Sequence, residues 1–141
     1  MVAYLDSSLV LRYVIQSETA IQQAIVLGGL FSSELLKIEC QRVLHRCRMT
    51  GEFDDAALAE AYSRLEEVLS GVALYGLSEA VKSYAAGAFP LPVKTLDALH
   101  LATAVLFQQE NSGEKVVVFT TDNAMNLCAR ALGFATPLLS L

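Results

Sequence analysis

The chain has 141 residues, is 54% hydrophobic and carries a formal net charge of −5. That length suits one domain over residues 1–141, burying about two-thirds of its unfolded surface, and such apolarity excludes a disordered chain. The acidic balance argues against a simple basic protein that coats nucleic acid, and leaves room for an enzyme that meets phosphates through metal ions.

The apolar content also exceeds what a monomer of this size needs, which points to oligomerisation or a permanent partner. No apolar run approaches the roughly 18 residues of a membrane span, so no membrane role is expected. The first residues lack the basic segment and long apolar stretch of a signal peptide. Cys40, Cys47 and Cys128 have no CxxC spacing. Cys40 and Cys47 share a helix face, which suits reduced core packing, and a zinc site with His45 is disfavoured because His45 points elsewhere on that helix. A reducing cytoplasm is the expected location.

Val2-Ala3-Tyr4-Leu5 reads as a buried strand ending at Asp6. A helix follows over Ser8 to Gln16 with Leu9, Val10, Tyr13 and Val14 inward, and Ser7 or Ser8 as N-cap. A second helix is expected over Glu18 to Leu27, stopped by Gly28-Gly29, then a brief strand at Leu30-Phe31. From Ser33 a long helix places Leu36, Cys40, Val43, Leu44 and Cys47 on one stripe. Glu39, Arg42 and Arg46 lie together on another side. Asp54-Asp55 caps the next helix, which ends at Gly71.

Val72 to Leu77 reads as a strand or an extended connection, and Ser78 caps a helix over Glu79 to Ala86. Thr95 is the expected cap of an Ala- and Leu-rich helix from Leu96 to about Gln109. Lys115-Val116-Val117-Val118-Phe119 is the second clear strand and runs into Thr120-Thr121-Asp122. A last helix runs to Leu132-Gly133, and Thr136 to Leu139 is expected to add an edge strand. The pattern predicts an α/β domain with a mostly parallel central sheet and the carboxyl ends of its strands along one edge.

Four carboxylates stand out. Asp6 and Asp122 sit at strand-to-helix junctions, Asp97 lies in a first helical turn, and Glu39 lies off the apolar stripe of its helix. Asp122 as an N-cap, Asp97 as a favourable first-turn charge and Glu39 as a partner of Arg42 or Arg46 are ordinary structural roles. Asp6 resists such a reading, because an acid ending a buried strand is costly without a cation, a donor or a proton.

Tyr4-Leu5-Asp6-Ser7-Ser8, Ser33 to Glu39, Leu96-Asp97-Ala98-Leu99-His100-Leu101-Ala102-Thr103-Ala104 and Thr120-Thr121-Asp122 occur in an order that resembles the PIN-domain family, in particular the toxin ribonucleases of bacterial VapBC toxin–antitoxin pairs. The Asp-Ala-Leu-His-Leu-Ala-Thr-Ala stretch is the most specific of these segments. The resemblance implies a three-layer α/β/α sandwich and maps the family's four acidic positions onto Asp6, Glu39, Asp97 and Asp122. Glu34 competes with Glu39, but the spacing from Ser33 favours Glu39. It further implies an endoribonuclease that leaves a 5′-phosphate and a 3′-hydroxyl, inhibited by a VapB-type antitoxin, with the toxin itself a homodimer.

Clustered carboxylates repel one another unless a cation is present. Hard oxygen donors suit Mg²⁺ or Mn²⁺, and a bound ion can polarise the scissile phosphate and activate water. Asp6 and Asp97 are the expected direct ligands. Asp122 and Glu39 are expected to bind through water or to orient the attacking water. Ser8 and Thr121 could hydrogen-bond a water on the ion or serve as caps. Arg42 and Arg46, one and two turns beyond Glu39, could hold RNA phosphates. His100 invites a general-base reading, but a packed, hydrogen-bonded histidine is the simpler one on an apolar helix.

Two other classes compete. A haloacid-dehalogenase-type phosphoryl-transfer enzyme would want an aspartate where Ser8 stands, and a receiver domain would want an adjacent acidic pair and a late lysine. A non-catalytic module using its acids to bind a basic partner would show no metal-dependent nuclease activity.

Overall fold

The computed structural model describes residues 1–140. Its strands are β1 (Val2–Leu5), β2 (Leu30–Ser33), β3 (Ala73–Tyr75) and β4 (Val116–Phe119). They form one sheet in the order β3-β2-β1-β4, with every pairing parallel. The helices are α1 (Ser7–Gln16), α2 (Gln22–Ile25), α3 (Leu35–Met49), α4 (Asp55–Ser70), α5 (Glu79–Ala85), α6 (Thr95–Glu110) and α7 (Asn123–Ala131).

The period-two alternation of the central strands sorts the core into two halves. Ala3, Leu5, Val117 and Phe119 face one cluster with Leu9 and Val10 of α1, Leu36 and Leu44 of α3 and Leu65 of α4. Tyr4, Phe31, Val116 and Val118 face the other, with Leu101 and Ala104 of α6 and Met125 and Cys128 of α7. The result is a three-layer α/β/α sandwich whose central strands are covered on both sides. That is why they read as unbroken apolar runs. A leucine as fully buried as Leu101 contributes about 1.5–3 kcal/mol. All three cysteines are free and buried.

Local chemistry shifts several boundaries. The N-cap of α1 is Asp6, whose carboxylate accepts from the Ser8 N–H, rather than Ser7 or Ser8. Lys94 rather than Thr95 occupies the N-cap of α6, without a side-chain hydrogen bond. Ser33 belongs to β2, and α3 starts only at Leu35. The helix expected over Glu18 to Leu27 shrinks to Gln22–Ile25, because Ser17 takes a left-handed conformation (φ 56°) and the chain turns before helix resumes. Gly28 then takes φ +89°, and a Cβ on Gly29 would lie 3.0 Å from Val2, so this glycine pair allows close entry into β2.

No edge strand forms over Thr136 to Leu139. Pairing stops at one bridge between Ala135 and Val117, and the chain turns back with Leu139 N–H bonded to Thr136. Pro137, which has no N–H to donate, stands in that segment. Among the described residues, no helix is long and apolar enough to cross a membrane.

Candidate active site

The parallel register of β1 and β4 pairs Leu5 with Phe119. The next residues, Asp6 and Thr120, therefore emerge side by side at the carboxyl ends of the two central strands. Open α/β sheets build their ligand sites at such ends. Asp6 is 4% exposed, and its own N–H is bonded to the Phe119 carbonyl at 3.0 Å. Its Oδ2 accepts from the Ser8 hydroxyl and the Thr120 hydroxyl, each at 2.7 Å. Its Oδ1 has no hydrogen-bond donor among the described residues; the nearest basic atom is His100 Nε2 at 3.8 Å. One oxygen is saturated and the other is left for a ligand.

Ser8 also accepts from the Thr121 N–H at 2.9 Å. Thr121 thus contributes its backbone to this junction, while the neighbouring Thr120 supplies the hydroxyl that touches Asp6. Thr120 also accepts from the Asp122 N–H at 3.1 Å. Asp122 caps α7, its Oδ1 accepting from Met125 N–H at 2.8 Å. The capping role therefore takes one of its two oxygens.

Asp97, in the first turn of α6, is the electrostatic centre of the group. Its carboxyl is pushed up to about 6 from 3.8, first by burial and then by the charges of Asp122 and Asp6, with Glu39 adding to the effect and His100 opposing it. No lysine or arginine appears among the charges acting on it. The four acids singled out in the sequence thus share one electrostatic neighbourhood, in which His100 rather than a lysine or arginine opposes their repulsion.

Glu39 does not pair with Arg42 or Arg46. Its Oε1 lies 2.5 Å from Nε2 of His100, whose ring is wholly buried and whose Nδ1 lies 2.5 Å from the Tyr4 hydroxyl. Burial works against the imidazolium. The Glu39 hydrogen bond and the charges of Asp6, Glu39 and Asp97 outweigh it, so the ring titrates above its ordinary value. His100 is the packed, hydrogen-bonded histidine anticipated, with a carboxylate as one of its partners.

Glu34 is turned elsewhere, its carboxylate accepting from the Leu77 N–H at 3.3 Å. Arg42 and Arg46 are exposed and form no ion pair among the described residues. With Glu39, Ser7, Tyr62 and Leu96 they line a cleft of about 790 Å³ along α3.

A profile of the PIN domain matches residues 3–130. The chain belongs to the PIN domain family. PIN domains are generally metal-dependent nucleases. No curated protein matches the chain closely.

The side chains fit a hard divalent cation. All donors are oxygens, Asp6 Oδ1 accepts no hydrogen bond among the described residues, and the Asp97 carboxyl stays raised despite the opposing charge of His100. Among the described residues, no group of three or more His, Cys, Asp or Glu side chains is placed to hold a metal ion by itself. Mg²⁺ keeps several waters and takes only one or two protein carboxylates together with substrate phosphate, so an open set suits it.

Tyr4 and Thr120 are the site residues that sequence reasoning missed. The signal for Thr120 lies in the strand register, which places it beside Asp6. Tyr4 had only its alternation with Asp6 along β1 to mark it.

Proposed function

We propose that the chain is a Mg²⁺- or Mn²⁺-dependent endoribonuclease, the toxin of a VapBC-type toxin–antitoxin pair, with residues 1–141 forming a single PIN domain. The observation that carries this reading is the acidic group at the sheet's carboxyl edge. There the Asp97 carboxyl is driven to about 6 by burial and by its acidic neighbours, an effect that the opposing charge of His100 does not cancel.

Asp6 and Asp97 hold the cation, with Asp122 completing the set through its uncapped oxygen. A divalent ion in this place supplies charge neutralisation and Lewis-acid polarisation of the scissile phosphate. Glu39 orients the attacking water for in-line displacement, leaving a 5′-phosphate and a 3′-hydroxyl. Arg42 and Arg46 hold phosphates of the RNA along the α3 cleft, where their freedom from ion pairs leaves both charges available. Ser8 and Thr121 keep Asp6 in its pose and bound the substrate's approach to it.

The three free cysteines suit the cytoplasm. Exposed Val26, Ile38 and Met49, at 77%, 52% and 72%, suit a homodimer and an antitoxin tail that covers apolar surface. An arginine in that tail would pair bidentately with the acids and take the cation's place.

The test is cleavage of RNA by the purified, antitoxin-free chain with Mg²⁺ and with excess EDTA, followed by end-group analysis of the fragments. Cleavage that needs Mg²⁺ and leaves 5′-phosphates supports the reading. Undiminished cleavage in EDTA would reject it. Absence of nuclease activity under both conditions would favour a non-catalytic acidic module.

A further inference from the structure

Side chains from three separate elements meet in the interior behind the carboxylates: Tyr4 of β1, His100 of α6 and Glu39 of α3. The His100 ring is 0% exposed, so neither ring nitrogen can turn to bulk water for a partner. Nδ1 lies 2.5 Å from the Tyr4 hydroxyl and Nε2 lies 2.5 Å from Glu39 Oε1. The same Nε2 is 3.8 Å from Asp6 Oδ1. One imidazole nitrogen thus lies close to a carboxylate oxygen of both Glu39 and Asp6.

We propose that Tyr4 and His100 are positioning residues for Glu39. The Tyr4 hydroxyl donates to Nδ1, which keeps a proton on Nε2, and that N–H sets the position of the Glu39 carboxylate relative to Asp6. The purpose of this pose rests on the nuclease reading above; the hydrogen-bond relay itself does not.

A neutral imidazole carries one proton, and the partner of one nitrogen decides where it sits. A carboxylate only accepts, whereas a phenol can donate. With the proton on Nδ1, the Nε2 lone pair would face Glu39 at 2.5 Å, two acceptors in contact. Tyr4 donating to Nδ1 removes that arrangement. A doubly protonated ring retains the Nε2–H as well, so the donor toward Glu39 is present in either charge state. Glu39 needs such a holder, because fixing a glutamate side chain costs rotamer freedom. A charge-assisted bond is about twice as strong as a neutral one and can offset that cost.

The first measurement reads the His100 ring by long-range ¹H–¹⁵N correlation on the ¹⁵N-labelled chain, with a His45→Gln variant to assign the two histidines. Wild type should show a protonated Nε2 and an accepting Nδ1 when the ring is neutral. Tyr4→Phe, which removes only the hydroxyl, should lose that preference. The second measurement is Mn²⁺ affinity by electron paramagnetic resonance. At a pH where the ring is neutral, Tyr4→Phe should weaken it a few-fold, less than the loss from removing a partner of a direct ligand, because Glu39 meets the ion through water. In a Glu39→Gln background the same change should cost nothing further, because the interaction it acts through is gone.

His100→Gln, whose amide can still donate to Glu39, should bind Mn²⁺ better than His100→Leu. This pair decides the matter should Tyr4→Phe fail to fold. A neutral wild-type ring with its proton on Nδ1, an undiminished affinity in Tyr4→Phe where the ring is neutral, or an equal loss in both backgrounds would overturn the proposal. If the wild-type chain binds no Mn²⁺, the nuclease reading fails, and the ring pattern alone then sustains or overturns the relay.

Discussion

Asp97→Asn should stabilise the metal-free protein, and only above a definite pH. The Asp97 carboxyl titrates at about 6 in the fold against 3.8 ordinarily, a rise of roughly two units. At about 1.36 kcal/mol per unit this has an upper bound of about 3 kcal/mol. Asp97 is only half-buried, so solvent screening reduces it to about 1–2 kcal/mol.

The sign follows from proton counts. Between pH 3.8 and about 6 the folded chain holds this proton more tightly than the unfolded chain does. Stability from this group therefore falls as pH rises through that window, and the penalty is complete above it. Asparagine cannot ionise and escapes the penalty. In EDTA at pH 7.5 the variant should melt higher by about 3–8 °C, taking a few degrees per kcal/mol for a domain of this size. At pH 4 the advantage should shrink toward zero. Thermal unfolding followed by circular dichroism, wild type beside variant at both pH values, measures this directly. A variant less stable than wild type at pH 7.5 without metal would refute the account of Asp97 as an uncompensated charge.

Other outcomes follow from the same geometry. Mg²⁺ should raise the wild-type melting temperature more at pH 7.5 than at pH 5, since the ion competes with the Asp97 proton; an equal rise at both would place the ion elsewhere. Arg42→Ala with Arg46→Ala should raise KM for RNA and flatten its salt dependence while leaving the fold intact, checked by cleavage rates across a salt series. An arginine-to-alanine change in the antitoxin tail should restore part of the nuclease activity while the complex survives on size exclusion, because apolar burial holds the partners together.

The central strands were legible because burial on both faces leaves an uninterrupted signature, as in Val116-Val117-Val118-Phe119. The strand β3 was legible as a strand or an extended connection, without a choice between the two. It is three exposed residues long, and its pairing with β2 rather than its composition defines it. The missing edge strand and the shortened α2 reflect local overrides, Pro137 in one case and the left-handed Ser17 in the other. Around Asp6 three successive cap-forming residues competed, and tertiary contact with Thr120 accompanies the choice.

The acids themselves could be picked from the sequence, but their partners could not. The Tyr4 and His100 contact spans 96 residues and the His100 and Glu39 contact spans 61. Helical spacing invited pairing Glu39 with Arg42, and only the meeting of α3 and α6, which pack on opposite faces of the sheet, supplies the histidine that takes it instead. Ser8 and Thr121 were the hydroxyls singled out in the sequence, whereas the register of β4 puts the Thr120 hydroxyl beside Ser8 on Asp6.

The central claim is that Asp6 and Asp97 hold a cation that cleaves RNA. The most direct measurement is the RNA cleavage rate in Mg²⁺ of Asp6→Asn and Asp97→Asn beside wild type, each first shown by circular dichroism to be folded. Both substitutions remove a ligand charge with little change of shape. The account predicts folded proteins without turnover above background. Near-wild-type cleavage by either variant would contradict it.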